Sequence, residues 1–139
     1  MNAVDTNVYF YALDAEEPAK QTKALELLDR LALKPAETVI AWQVAGEFLG
    51  QLRKWQSKGK LAAAEVDAAF QRLRAMFPLR APSERVFEVS FDPRSRFSRS
   101  HWDSMLLAAC KEARLTMLYS EDMAAGTHYD GVTIVNPFI

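Results

Sequence analysis

Apolar positions in this chain follow two rhythms, brief β-branched runs and longer stretches at helical spacing, and the two alternate. Met1 to Val4 is a short apolar lead-in to Asp5, and the apolar-aromatic run Val8 to Leu13 behind it reads as a strand passing into a helix. Pro18 stands where the first turn of a helix tolerates proline, and Ala24, Leu25, Leu27, Leu28 and Leu31 recur at helical spacing until Lys34-Pro35 ends the run. Thr38 to Ala41 is short and β-branched, which predicts a second buried strand. Gln43 to Gln56 then places Val44, Phe48, Leu52 and Trp55 on one helical stripe.

After a polar turn at Ser57 to Lys60, the alanine-rich segment Leu61 to Phe77 predicts another helix, with Val66, Phe70, Leu73 and Phe77 on one face and Pro78 as its stop. Ser83 is placed to cap a helix through Val86, Phe87 and Val89, which Asp92-Pro93 is expected to break or kink, leaving a basic stretch of unassigned shape up to Arg99. Ser100 opens a helix from Trp102 to Arg114. Thr116 to Tyr119 and Val132 to Val135 complete a set of four strands. Strands alternating with helices predict a parallel central sheet covered on both faces, a three-layer α/β/α domain.

Length and composition narrow the class. At 139 residues, half of them apolar, the chain suits one domain with a real core. It has no transmembrane-length apolar run and no basic-then-apolar leader, so a soluble, cytoplasmic protein is expected. The lone cysteine, Cys110, sits in an apolar helix and excludes both a disulfide within the chain and a cysteine-based zinc cluster. Neither His101 nor His128 has ligand spacing, and no glycine-rich phosphate loop is present. The three tryptophans, Trp42, Trp55 and Trp102, read as core or interface rather than as base-stacking platforms.

Charge is distributed unevenly. Residues 53 to 99 contain eleven Lys or Arg against five acids, a local +6, while the remainder carries −7 to give the net −1. Such a division suits an acidic metal site flanked by a basic, phosphate-attracting surface, although two solvated amphipathic helices account for it equally well.

Four acids fall at strand ends or groove edges: Asp5, Glu47, Asp103 and Asp122. Strand ends in open parallel sheets line the ligand crevice, and carboxylates converging there repel one another unless a cation neutralises them. Each also has a plain structural account. Asp5 has the position of a helix N-cap. Glu47 lies roughly 60° around the helix from Val44, at the border of the buried stripe, where an ion pair with lysine or arginine is the ordinary solution. Asp103 closes the capping-box pattern Ser100-His101-Trp102-Asp103, and Asp122 follows Ser120-Glu121 in a turn.

The ordered set Val4-Asp5-Thr6-Asn7, Glu47, Trp102-Asp103-Ser104, Leu118-Tyr119-Ser120-Glu121-Asp122 and Val135-Asn136-Pro137-Phe138 resembles PIN-domain ribonucleases, and among them the VapC-type toxins of bacterial toxin–antitoxin pairs. The resemblance spans nearly the whole chain. It implies that Asp5, Glu47, Asp103 and Asp122 bind Mg²⁺ or Mn²⁺, that Asn7 and Ser120 assist, and that the substrate is RNA. It also implies a homodimer and a cognate VapB-type antitoxin whose C-terminal segment lies in the active-site groove. Arg53, Lys54, Lys58, Lys60, Arg94, Arg96 and Arg99 are the candidates for guiding the RNA backbone. Hard oxygen ligands suit such cations, which activate water for in-line attack on a phosphodiester without a covalent nucleophile. Two other functions compete: a catalytically silent PIN-like binding domain, and a haloacid-dehalogenase-like phosphatase. The latter chemistry wants a second aspartate two residues after the first, where this chain has Asn7.

Overall fold

The computed structural model describes residues 1 to 97 and 100 to 139, without the side chains of 95 to 97. Strand β1 (Asn2–Val4) leads into α1 (Thr6–Leu13) and α2 (Pro18–Ala32), and a 3₁₀ turn (Pro35–Glu37) precedes β2 (Thr38–Ala41). Helices α3 (Trp42–Ser57) and α4 (Ala63–Met76) follow, then β3 (Leu79–Arg80), α5 (Arg85–Phe97) and α6 (His101–Glu112). The chain closes with β4 (Met117–Tyr119), β5 (His128–Tyr129) and β6 (Val132–Val135).

Each helix forms where its apolar stripe has something to cover. In α2, Pro18 occupies the first turn and Ala24, Leu27, Leu28 and Leu31 are buried, while Leu25 points outward. In α3 the buried stripe is Val44, Ala45, Phe48 and Leu52. Phe10 of α1 stacks on Phe48 with ring centroids 5.1 Å apart and meets Trp55 edge-on at 5.6 Å, which locks α1 to α3. Helix α1 packs on α2 and α3, and α3 on α4; on the other side α5 and α6 pair, with α6 against β2 and β6. The result is the three-layer α/β/α arrangement.

The sheet has the order β3-β2-β1-β4-β6-β5. Every pairing is parallel except β5 with β6, so the sheet is mostly rather than wholly parallel. Both additions to the four expected strands are two-residue outer strands. The β5–β6 hairpin turns at Asp130-Gly131, where both residues have positive φ (41° and 95°), the geometry that Asp-Gly supplies in a two-residue hairpin. Because successive strands run outward from β1 to β3 and then resume at β4 on the other side of β1, the strand order reverses between β1 and β4. That reversal opens a crevice beyond their carboxyl ends.

Further expectations are corrected. The run Val8 to Leu13 is helical throughout, within α1, and the first strand is the lead-in before Asp5. Helix α5 runs on through Asp92-Pro93. Pro93 has no N–H to give the Val89 carbonyl, but it is buried, and the packing of α5 along α6 retains the helix. Ser83 does serve the start of α5, its Oγ accepting from the Arg85 N–H at 3.3 Å while donating to Glu112. The tryptophans divide: Trp55 is partly buried, whereas Trp42 and Trp102 are 60% and 61% exposed and are not core residues. Cys110 is buried as expected; its burial, helped by the Asp5 charge, pushes the thiol up to about 12 and leaves it inert. Among the described residues no helix is long and apolar enough to cross a membrane.

Candidate active site

Asp5 is placed by backbone pairing before any side chain is considered. Its N–H continues the β1 ladder by donating to the Tyr119 carbonyl of β4 at 2.8 Å, and its extended φ and ψ make it the N-cap of α1. The carboxylate is 7% exposed and both oxygens are held, Oδ1 by the Thr6 N–H at 2.7 Å and Oδ2 by the Ser120 hydroxyl at 2.7 Å. Burial raises its pKa from the ordinary 3.8 to about 6; the Ser120 and Thr6 hydrogen bonds oppose this, and the nearby charges of Glu47 and Asp122 add to it. The capping role and a place in a charged cluster therefore coexist at one residue.

Glu47 projects from α3 toward the same crevice. Its Oε2 accepts from Thr6 Oγ1 at 3.1 Å and its Oε1 from Gln43 Nε2 at 2.8 Å, while Gln43 also donates to the Trp102 carbonyl at 3.0 Å. Among the described residues neutral donors, and no lysine or arginine, hold Glu47, so the ion-pair account of this residue finds no partner there. Asp103 lies in the first turn of α6, whose N-cap Ser100 accepts from the Asp103 N–H at 3.2 Å. Among the described residues, neither Asp103 nor Asp122 has a basic side chain in ion-pair contact.

Asp5, Glu47, Asp103 and Asp122 line one cavity of about 460 Å³ together with Thr6, Asn7, Gln43, Gln51, Lys54 and Trp102. Four acids from the start of α1, from α3, from the start of α6 and from the turn after β4 thus share one space. They are not a preassembled cage: among the described residues no three His, Cys, Asp or Glu side chains are close enough to hold one ion as they stand. The donor set nonetheless fits a hard divalent cation, being carboxylate and amide oxygen throughout, with a raised Asp5 that such a charge would relieve. Asn7 adds a further sign, since its Oδ1 and Nδ2 are both buried and, among the described residues, without a hydrogen-bond partner. Ser120 does not line the cavity; fully buried, it braces Asp5 from behind.

Thr6 and Gln43 were not singled out from the sequence, yet they hold Glu47. Of the basic candidates, Lys54 lines the acid cavity, whereas Arg53 beside it on α3 and Lys58 and Lys60 after that helix are exposed and do not line it. Arg94 is exposed on α5; the Arg96 side chain and Arg99 lie outside the described residues. A larger apolar cleft of about 820 Å³, walled by Trp42, Phe87, Trp102 and Met105, adjoins the site and shares Gln43 and Glu47 with it. The converging polar groups belong to the smaller cavity.

Fold and site together define an α/β/α domain with a four-carboxylate pocket at the switch point of its sheet. The chain belongs to the PIN domain family, whose model matches residues 3–125. Its fold is shared with a chain of a toxin–antitoxin complex from Klebsiella pneumoniae, at 19% identity and a TM-score of 0.69, covering 99% of this chain and 98% of that one. It is shared also with Mycobacterium tuberculosis VapC20, described as a sarcin–ricin loop cleaving toxin, at 22% identity and a TM-score of 0.63, covering 88% of this chain and 90% of that one. No curated protein sequence matches the chain.

Proposed function

We propose that this chain is a divalent-metal-dependent endoribonuclease of the VapC toxin type, held in check by a cognate antitoxin. The observation that carries the reading is the meeting of Asp5, Glu47, Asp103 and Asp122 in one cavity with no lysine or arginine, among the described residues, paired to any of them. Structural acids of a silent domain would be expected to end in such pairs. Asn7 stands where a haloacid-dehalogenase-like phosphatase would need its second aspartate, so that alternative falls behind.

In this reading the four carboxylates hold Mg²⁺ or Mn²⁺, and the ion supplies activation of water and neutralisation of charge at the scissile phosphate. The chain's own residues do the rest. Thr6 and Ser120 fix Asp5 through two hydrogen bonds, and Thr6 and Gln43 fix Glu47 through two more, so both carboxylates are oriented before substrate arrives. Asn7 lines the cavity, and its buried side-chain amide has no hydrogen-bond partner among the described residues, so a turn of that side chain would offer Nδ2 to a bound group. Lys54 supplies positive charge at the rim and draws the RNA backbone toward the acids. A homodimer, and an antitoxin segment laid in the groove, complete the proposal; the Klebsiella pneumoniae neighbour is itself part of a toxin–antitoxin complex.

The test is expression of wild type and Asp5→Ala in growing cells with sequencing of RNA 5′ ends. Cleavage at defined sites by the wild type alone is the expected result. Identical profiles in both strains would overturn the nuclease reading.

A further inference from the structure

The turn after β4 assigns three consecutive polar side chains to three different places. Ser120 points inward to Asp5, Asp122 faces the cavity, and Glu121 turns away to Lys20 of α2, with Nζ to Oε1 at 2.5 Å. Lys20 is itself fixed from other sides. Its Nζ donates to Tyr11 Oη at 3.2 Å and lies 4.6 Å from the Tyr11 ring centroid and 6.0 Å from that of Phe138. Those two rings meet edge-on at 5.1 Å, so α1, α2, the turn and the C-terminal segment all close on one ammonium.

We propose that Lys20 is a positioning residue of the acid site: by gripping Glu121 it fixes the Ser120 to Asp122 turn, so that Ser120 braces Asp5 while Asp122 faces the cavity. The proposal rests on the nuclease reading. Geometry makes the coupling direct, because Glu121 lies between two residues that serve the site and a two-residue lever has little slack. Charge adds a second effect. Glu121 would otherwise be a fifth carboxylate beside four, and Lys20 cancels it where it stands. Asp122 lines the cavity and Glu121, its neighbour in the chain, does not, because Glu121 is held by its own cation.

The experiment compares purified wild type with Lys20→Met, Lys20→Arg and Lys23→Met, measuring Mn²⁺ affinity by calorimetry, RNA-cleavage kcat and KM, and Tm. Loss of a group that orients a metal ligand typically lowers affinity or activity by about 10-fold to 100-fold. Lys20→Met is therefore expected to weaken Mn²⁺ binding and kcat by about 10-fold, with KM for RNA nearly unchanged, and Lys20→Arg is expected to restore both. Lys23 also leaves α2, donating to the Phe138 carbonyl at 3.1 Å without touching Glu121, so Lys23→Met should behave as wild type. Wild-type Mn²⁺ affinity and kcat in Lys20→Met would overturn the proposal, as would failure of Lys20→Arg to restore them. An equal loss in Lys23→Met, or a loss matched by partial unfolding, would reduce Lys20 to a general tether and overturn it too. If the wild type itself binds no Mn²⁺ and cuts no RNA, the nuclease reading fails and this proposal with it; a working wild type beside an indifferent Lys20→Met sinks the positioning role alone.

Discussion

Replacing Asp5 by asparagine should make the metal-free protein more stable while abolishing its proposed activity. The carboxyl group holds its proton more tightly in the folded chain, at about 6 against an ordinary 3.8. A raised folded-state value favours folding fully below the unfolded value and loses that contribution as pH climbs through the folded one. Two pH units at roughly 1.4 kcal/mol each put the loss near 3 kcal/mol by pH 8. An amide in the same place would carry no charge to desolvate. Its Oδ1 would still accept from the Thr6 N–H, and the Ser120 hydroxyl would reverse to accept from Nδ2. Urea unfolding in EDTA should therefore put Asp5→Asn within about 0.5 kcal/mol of wild type at pH 4 and about 3 kcal/mol above it at pH 8, a Tm difference of roughly 10 °C for a domain of this size. Mn²⁺ should then stabilise the wild type alone, closing most of the gap at about a hundred times the dissociation constant, where binding contributes about 2.7 kcal/mol. A stability difference that is the same at both pH values, or Asp5→Asn less stable at pH 8, would refute the view that Asp5 is a buried carboxylate held at the expense of the apo fold.

Ser120→Ala removes one of the hydrogen bonds that keep the Asp5 pKa down, so the acid limb of the cleavage pH profile should move to higher pH; an unmoved limb would dissociate Ser120 from Asp5. Lys54→Gln should weaken RNA binding and reduce the salt slope of log K by roughly one charge while leaving Mn²⁺ affinity intact, as filter binding across a salt series would show. Gly131→Ala should cost about 1 kcal/mol in urea unfolding, because φ of 95° strains any side chain although nothing crowds the added Cβ. The cleaved RNA should carry a 5′-phosphate and a 3′-hydroxyl, and ligation-dependent end sequencing that instead finds a 2′,3′-cyclic phosphate would contradict attack by water.

The central elements were legible because their physics is periodic. The fully buried strand Thr38–Ala41 reads as a β-branched run, and α2 and α3 read as 3.6-residue stripes. The outer strands were not. Leu79–Arg80 and His128–Tyr129 are two residues each, too short for any period, although Asp130-Gly131 was a usable hairpin signal. Pro93 does not break α5, because the packing of that helix along α6 outweighs the one hydrogen bond the proline removes. For Trp42 and Trp102 hydrophobicity left core and interface open, and only their exposure in the fold removes the core alternative. At the site, the four acids stood out by charge at strand ends or groove edges, whereas Thr6 and Gln43 are neutral and carry no charge pattern. Gln43 lies four residues before Glu47 on the same helical face, and that spacing was its one sequence cue.

The sheet is finished on both sides by strands of only two residues, β3 and β5. A margin that brief leaves almost no row of unsatisfied amides on which a foreign strand could register, so the protein is guarded against growing by strand addition. Recruitment of other molecules is thereby left to helical faces and to the crevice, which lets the core stay rigid while binding surfaces change.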